Sequence, residues 1–346
     1  MTDLLIDKVE TLLTGGGTET GDDTVFVAVH GGGQTGWYGP VSLVVAQAVE
    51  AIGPAVTGAS LLDHHGLRPR LRAAAPTVSD WAVGAIDCAA WDLHGRLAGR
   101  PVADLLAPGR KARAVPAYAS WLRMDLSGPA NRSALTQVLA EGWAFTKWGL
   151  RRRPGPSIAA EARDLVEALE RVASVIDAPF AVDAVGTWSP QLAAAVAPLL
   201  GHPHLAWLED PLPEHYLRTY SQLAAAGVPI ALGERIRPDE DLRALLDVAR
   251  PTALTIDVVG CGGLTRAVEI TKASYEAGVP VYPHGRSMVP AIHLVAAFPD
   301  TVRAVEYRRQ WEPRRQLLYA EPWIPENGRF PAPDAPGLGT QPRSTR

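Results

Sequence analysis

The sequence predicts an α/β chain: a (β/α)8-type barrel, a modified TIM barrel, preceded by an N-terminal α+β capping domain. Three observations lead there. From about residue 113, eight short apolar runs alternate with helical patterns of about fifteen residues. Asp183, Glu209, Glu234, Asp257, His284 and Glu306 close six successive runs at intervals of 26, 25, 23, 27 and 22 residues, the period of one βα unit. Residues 1–112 have a different texture, with strand-like runs ahead of a long helical pattern. An open doubly wound sheet also alternates strand and helix, but it does not usually end so many successive strands in titratable groups. A closed barrel does, because all its strand C-termini face one mouth.

Within residues 1–112, Val9–Leu13 and Val25–Val29 read as strands separated by the polar, Gly-rich segment Thr14–Thr24. Gly31-Gly32-Gly33 marks a turn before Trp37. Ser79 reads as an N-cap, Ile86, Ala90, Leu93 and Leu97 recur at helical spacing, and Gly99 and Pro101 end that helix. The barrel domain is expected over 113–311. Its runs are Ala114–Ala119, Ala144–Gly149, Phe180–Asp183, Leu205–Glu209, Val228–Glu234, Ala253–Asp257, Val279–His284 and Val302–Glu306. The Pro-rich tail 312–346 is expected to pack back on the first domain.

At 346 residues, 47% hydrophobic and 20% charged, the chain has room for a large barrel and a smaller domain, and its composition is that of a globular protein. A formal charge of −4, from 33 basic and 37 acidic residues, gives no basis for binding nucleic acid or an anionic membrane. Two cysteines, Cys88 and Cys261, cannot form a disulfide framework and suit a reducing compartment. The start carries Asp3, Asp7, Lys8 and Glu10 rather than an apolar leader. The most apolar stretch, Val41–Ala59, is broken by Gln47, Glu50 and Pro54. A soluble, cytoplasmic protein is expected.

Asp183, Glu209 and Glu234, ending successive strands, converge at the barrel mouth. Three like charges so close repel unless a divalent cation lies among them, and all-oxygen donors suit Mg2+ better than zinc. The competing reading is three unrelated acids at loop starts, which the regular spacing weakens. Asp257 and His284 lie one βα unit apart, and a carboxylate beside an imidazole fixes its tautomer and raises its basicity. Alone, His284 would read as a hydrogen-bonded loop residue. Lys147 ends the second strand, across the mouth from His284. A lysine partly desolvated near a metal has its pKa lowered into the range of a base; the alternative is a substrate- or solvent-facing cation.

The segment Val83–Leu93, with Asp87, Trp91 and Asp92, resembles a helix signature of the mandelate racemase and muconate lactonizing enzymes. Trp207-Leu208-Glu209-Asp210-Pro211-Leu212, Leu232-Gly233-Glu234, Asp257–Thr265 and Pro283-His284-Gly285 resemble that family's later motifs, in the right order from about residue 80 to 306. The resemblance implies that Asp183, Glu209 and Glu234 hold one Mg2+ per subunit, which binds a small carboxylic acid substrate and stabilises an enediolate. It implies His284, paired with Asp257, as one acid/base and Lys147 as the other, with Glu306 hydrogen-bonding the carboxylate side. It also implies a homo-oligomer, dimer or octamer.

Two positions depart from the family pattern. Phe145 takes the first position of a common Lys-x-Lys pair, removing one cause of a lowered Lys147 pKa, and Val185 replaces an asparagine after the first metal ligand. A weakened Lys147 counts against racemisation, which needs bases on both faces, and favours dehydration of a sugar acid to a 2-keto-3-deoxy acid. Racemisation, epimerisation or cycloisomerisation is the alternative, and a metal- or ligand-binding barrel without catalysis is the third reading. Ser120, Trp121, Arg123, Arg235 and Arg286, at strand ends, are the candidate substrate-binding residues, each with a structural salt bridge as its alternative. The short polar lid Thr14–Asp23 agrees better with a polyhydroxy acid than with an aryl one. Neither Gly31-Gly32-Gly33 nor Gly260-Cys261-Gly262-Gly263 matches a nucleotide-binding loop.

Overall fold

Strands β1 (Lys8–Leu13), β2 (Val25–Gly31) and β3 (Gln34–Val41) form an antiparallel sheet in that order. The computed structural model describes residues 4–14, 24–111, 113–124, 129–236 and 242–344, so the expected lid lies, beyond Thr14, outside the described residues. β2 and β3 meet at a tight turn in which Gly32 and Gly33 take φ of 57° and 75°, values that glycine adopts without steric cost. β3 is not among the strands expected from the sequence. Its Gly36, Gly39 and Pro40 disguise a strand, yet Gly36 is what lets the next layer approach: a Cβ there would stand 2.2 Å from the carbonyl oxygen of Ala89.

That layer is made by helices α1 (Leu43–Ile52), α2 (His64–Ala74), α3 (Asp80–Ala98) and α4 (Val102–Leu106). α3 begins where expected: Ser79 Oγ accepts from Trp81 N–H at 3.3 Å, and Gly99 at φ 62° terminates it. The helix is buried almost all round, because the sheet covers one side and the barrel the other. On the barrel side, Asp87 accepts from Thr265 N–H (3.0 Å) and Thr265 Oγ1 (2.6 Å). Gly84 admits the carbonyl of Val259, which a Cβ would meet at 2.1 Å. The capping helix therefore presses directly on the loop that follows Asp257.

The barrel runs β4 (Val115–Trp121), α5 (Pro129–Ala140), β5 (Thr146–Gly149), α6 (Ile158–Ala173), β6 (Phe180–Asp183), α7 (Pro190–Val196), β7 (Leu205–Glu209), α8 (Leu217–Ala225), β8 (Ile230–Leu232), α9 (Leu242–Ala244), β9 (Ala253–Leu254), α10 (Leu264–Ala277), α11 (Met288–Ala297) and β10 (Val305–Arg308). The strands are parallel in the order β10-β4-β5-β6-β7-β8-β9. Single-residue bridges close the ring from Leu254 to Val281 and from Val281 to Val302. The seventh expected strand, Val279–His284, is thus a single residue bridged on both sides rather than a ladder.

Past the barrel, α12 (Glu312–Arg315) leads to β11 (Arg329–Phe330), which pairs antiparallel with β4. The tail also reaches residues of the first 112. Tyr319 Oη donates to Gly39 O (2.6 Å), Leu338 N–H donates to Asp92 Oδ1 (2.6 Å), and Gly337 N–H donates to Arg100 O (3.0 Å). Among the described residues no helix is long and apolar enough to cross a membrane.

Candidate active site

Alternation along the strands fills the barrel interior in layers. The deeper layer is aromatic and small: Tyr118, Phe145, Ala181, Trp207, Ala231, Ala253 and Tyr282 pack together, with Phe145 stacked on Tyr118 at 4.4 Å between ring centroids. Two residues further along each strand, the next layer is polar. It holds Ser120, Lys147, Asp183 and Glu209, with Glu306 beside them on β10. Asp183 and Glu209 end β6 and β7 as expected and lie in register with each other. Glu234 and Asp257 lie two and three residues beyond their strands, and Glu306 sits inside β10 rather than at its end.

Lys147 is fully buried at the centre of this layer. Its Nζ lies 2.5 Å from Glu209 Oε1, 3.1 Å from Glu306 Oε1 and 3.6 Å from Asp183 Oδ2. Burial alone would push the ammonium down, as the sequence reading expected. Glu209 and Glu306 outweigh it, with help from Tyr118 and Asp183, and hold the Lys147 pKa well above its ordinary value. With no cation among the carboxylates, the direction is thus a raising, whereas the lowering is expected beside a bound metal. Phe145, at the first position of the Lys-x-Lys pattern, packs in the aromatic layer below Lys147. The position on Lys147's face one step nearer the mouth is Gly149, paired with Asp183, and it carries no side chain.

Glu306 joins Lys147 to His284. Its Oε1 faces the ammonium, while Oε2 accepts from Gly285 N–H at 2.7 Å and lies 3.8 Å from His284 Nε2. Burial pushes Glu306 up, but Lys147 and His284 together hold it well below the usual carboxylate range. Lys147 and His284 therefore do not face each other across open space; one carboxylate lies between them.

His284 Nδ1 lies 3.2 Å from Asp257 Oδ2. Asp257 is buried, yet His284 and Ser287 hold its pKa below the ordinary value, so it is ionised and can only accept. Its other oxygen accepts from Val259 N–H (3.0 Å), Gly260 N–H (2.8 Å) and Ser287 Oγ–H. Nδ1 therefore carries a proton, and the 3.4 Å approach of Arg286 N–H to it is the lesser contact. Nε2 faces Glu234 and Glu306, each 3.8 Å away. Burial lowers the His284 pKa, but Glu234, Glu306 and Asp257 raise it more, to about 9. Ser287 had no sequence signal pointing to it.

The carboxylates fit a hard divalent cation by donor chemistry. Glu209 is pushed up to about 7 by burial, against the opposing effect of Lys147, and Asp183 is raised by burial and by Glu234. Next to them, both carboxylate oxygens of Asp210 are buried without a hydrogen-bond partner among the described residues. Buried acids so crowded need positive charge nearby. Among the described residues no three His, Cys, Asp or Glu side chains already stand grouped for metal ligation. Asp183 and Glu209 lean on Lys147, whereas Glu234 leans toward His284. Val185 contributes its backbone: at φ 54° its N–H donates to Asp183 Oδ1 at 2.8 Å.

The candidate substrate residues divide. Ser120 is buried in register with Lys147, away from solvent. Arg123 donates its N–H to Gln310 Oε1 (3.1 Å) and lies over Trp311, 5.8 Å from the ring. Trp121 has the Arg309 guanidinium 5.8 Å from its ring. Arg235 and Arg286 line one cavity of about 890 Å³ together with Glu234 and residues 76–81 of the α2–α3 loop and helix start. The contribution of that loop had no sequence signal, because it arises from how the two layers dock.

The chain matches two family descriptions, "Enolase C-terminal domain-like" over residues 130–346 and "Mandelate racemase / muconate lactonizing enzyme, N-terminal domain" over residues 17–107. It is 28% identical over 275 residues to a D-galactarolactone cycloisomerase of Agrobacterium fabrum, covering 75% of this chain and 71% of that protein. A mandelate racemase/muconate lactonizing protein from Paracoccus denitrificans, solved with magnesium, superposes with a TM-score of 0.79 at 26% identity, covering 98% of this chain and 96% of the other. The 3,6-anhydro-D-galactonate cycloisomerase of Zobellia galactanivorans does so with a TM-score of 0.79 at 22% identity over 97% and 96%. The chain belongs to the mandelate racemase/muconate lactonizing enzyme family of the enolase superfamily, whose members are lyases and isomerases.

Proposed function

We propose that the protein removes the proton next to the carboxylate of an acid sugar and eliminates the group on the neighbouring carbon, most simply water, to give a 2-keto-3-deoxy acid. The observation that carries this reading is the His284–Asp257 pair, with Nε2 turned toward Glu234 and Glu306. Asp183, Glu209 and Glu234 would hold Mg2+, which when bound takes up negative charge developing on the substrate carboxylate.

His284 Nε2, once it has given up its proton, accepts the α-proton. Asp257 stabilises the imidazolium that results and keeps the ring oriented. The same Nε2 then protonates the departing hydroxyl on that face, so the proton taken from carbon leaves with water. Lys147, held charged by three carboxylates, keeps Glu306 ionised and in place instead of acting as a second base. Burial of the whole layer strengthens these interactions by excluding water.

Cycloisomerisation of an acid-sugar lactone is the second reading, favoured by the relative from Agrobacterium fabrum. It needs the same single base and differs in losing no water. The test is incubation with Mg2+ and a set of sugar mono- and diacids and their lactones. Semicarbazide detects a 2-keto product, and mass spectrometry shows whether water was lost. Turnover abolished by His284→Asn and by Glu234→Gln is the expected result; silence across acids and lactones alike would remove both readings.

A further inference from the structure

After His284 the chain makes a single 3-10 turn, Gly285–Ser287, and runs straight into α11. Ser287 stands at the N-cap of α11, where a serine hydroxyl ordinarily accepts from an N–H two or three residues on. It makes no such bond. Three residues on is Pro290, which has no N–H to offer. Ser287 is buried instead with its hydroxyl turned sideways, toward the loop after β9. There it donates to Asp257 Oδ1 and accepts from Val259 N–H at 3.2 Å.

The turn therefore grips one carboxylate from both ends, His284 Nδ1–H on Oδ2 and Ser287 Oγ–H on Oδ1. The two contacts are unequal. The 3.2 Å between His284 and Asp257 is long for an N–H donor on an ionised carboxylate, where about 2.7–2.9 Å is usual. The hydroxyl contact is the closer one. Val259 N–H and Gly260 N–H also reach Oδ1, but they belong to Asp257's own loop and cannot set the carboxylate against the imidazole. On the other side, Gly285 N–H is bound to Glu306 Oε2 at 2.7 Å, and a Cβ at Gly285 would stand 2.6 Å from Glu306 O. The turn is seated on β10 and has no room to shift in compensation for a lost contact with Asp257.

We propose that Ser287 is a positioning residue: it fixes the Asp257 carboxylate against the imidazole of His284, so that Nε2 is held toward the substrate carbon. This rests on the reading of His284 as the base and deepens it. Ser287 is not part of the cavity wall that Glu234, Arg235 and Arg286 share, and it touches no reacting atom. Its loss reaches the reaction through Asp257, lowering kcat and leaving substrate binding alone.

The experiment compares wild type, Ser287→Ala and Ser287→Thr as Mg2+-loaded proteins, with two readouts. The first needs no substrate: the downfield proton resonance of the Nδ1–H that His284 donates to Asp257, in 15N-histidine-labelled protein, assigned by its absence in His284→Asn. It is expected to be sharp in wild type, broadened or lost in Ser287→Ala, and kept in Ser287→Thr. The second is turnover of the sugar acids and lactones. Ser287→Ala should lower kcat about 10- to 100-fold, the worth of one hydrogen bond to a charged group, with KM changed less than about 3-fold. Ser287→Thr, which keeps the hydroxyl, should recover most of that loss. In Ser287→Ala the Val259 N–H still has Asp257 as its acceptor, so no buried donor is orphaned and the fold should survive. Should the extra methyl of threonine unfold its variant, Ser287→Cys, a weaker donor of similar shape, should fall between serine and alanine. A sharp resonance in Ser287→Ala, or a kcat within about 2-fold of wild type, would overturn the proposal. A loss carried by KM would overturn it too, making Ser287 a binding residue. Wild-type silence toward every acid and lactone would sink the elimination reading instead, and the resonance would then decide the positioning role by itself.

Discussion

A Cβ placed on Gly149 would stand 2.3 Å from the backbone carbonyl oxygen of Leu122, and backbone cannot yield as the end of a flexible side chain can. Position 149 lies on the face of β5 that Lys147 uses, one step nearer the mouth. No side chain can therefore occupy this position, and with Lys147 held among carboxylates the proposed mechanism leaves His284 as its single base. With a substrate that is turned over, deuterium from D2O should enter the α-carbon with retention of configuration, and no epimer should accumulate by NMR. Appearance of the epimer as fast as exchange would defeat the single-base reading. Gly149→Ala should cost about 1–3 kcal/mol in denaturant unfolding, the usual range for overpacking.

Asp257→Asn tests orientation of the imidazole. An amide in place of the carboxylate can no longer stabilise the imidazolium and can present a donor to Nδ1, favouring the wrong tautomer. The expected outcome is a kcat reduced about 100-fold or more with KM little changed, since Asp257 is not at the cavity surface. A variant keeping a large fraction of wild-type kcat would show that orientation of His284 matters little.

Much of this site is legible one strand at a time. Asp183 and Glu209 end their strands, and a periodicity of about 25 residues is enough to find them. Ser79 and Gly99 bound α3 because capping chemistry is local. What a linear reading misses depends on register and docking. Phe145 and Gly149 flank Lys147 at equal spacing, and only strand alternation within a closed barrel tells the aromatic layer from the mouth. The raised Lys147 pKa comes from Glu209 and Glu306, whose side chains are 62 and 159 positions away. Val281 keeps the barrel closed through one bridge on each side, which no propensity signals. Residues 76–81 reach the cavity only because α3 presses on the loop after Asp257.

Lys147→Met should be strongly destabilising. It leaves Glu209, Glu306 and Asp183 buried around an apolar side chain, and breaking a buried ion pair on one side commonly costs about 3–5 kcal/mol. A divalent cation at the same carboxylates would offset part of that loss. Thermal unfolding with EDTA and with Mg2+ should therefore show a larger Mg2+ stabilisation for Lys147→Met than for wild type. Equal Mg2+ responses would mean that lysine and metal do not share these carboxylates.

Val185 holds a left-handed backbone at φ 54°, a genuine outlier for a β-branched residue, and it is retained because its N–H fixes Asp183 Oδ1. Asparagine adopts that conformation more readily. Val185→Asn should keep the hydrogen bond and raise stability by about 1 kcal/mol, roughly 2 °C in Tm. A lowered Tm would mean that the valine side chain contributes more through packing than its backbone costs.

His293 is buried where α4, α11 and the tail meet: Nδ1 accepts from Ala103 N–H at 3.1 Å and Nε2 lies 3.1 Å from Leu338 O. Ala103 can only donate there, so Nδ1 is bare and Nε2 carries the proton; a second proton would break the Ala103 bond. Burial accordingly depresses the His293 pKa from 6.5 to about 4. Between these values the unfolded chain binds the proton and the folded chain does not. Stability from this residue is therefore complete above pH 6.5, is lost as pH falls from 6.5 toward 4, and falls no further below that. The gap corresponds to roughly 3 kcal/mol across the window. His293→Gln should be less stable at pH 7 but flatter between pH 6.5 and 4 in urea unfolding, with His64, depressed to about 3 by burial, contributing to the slope that remains. An unchanged acid slope in the variant would place the acid sensitivity elsewhere.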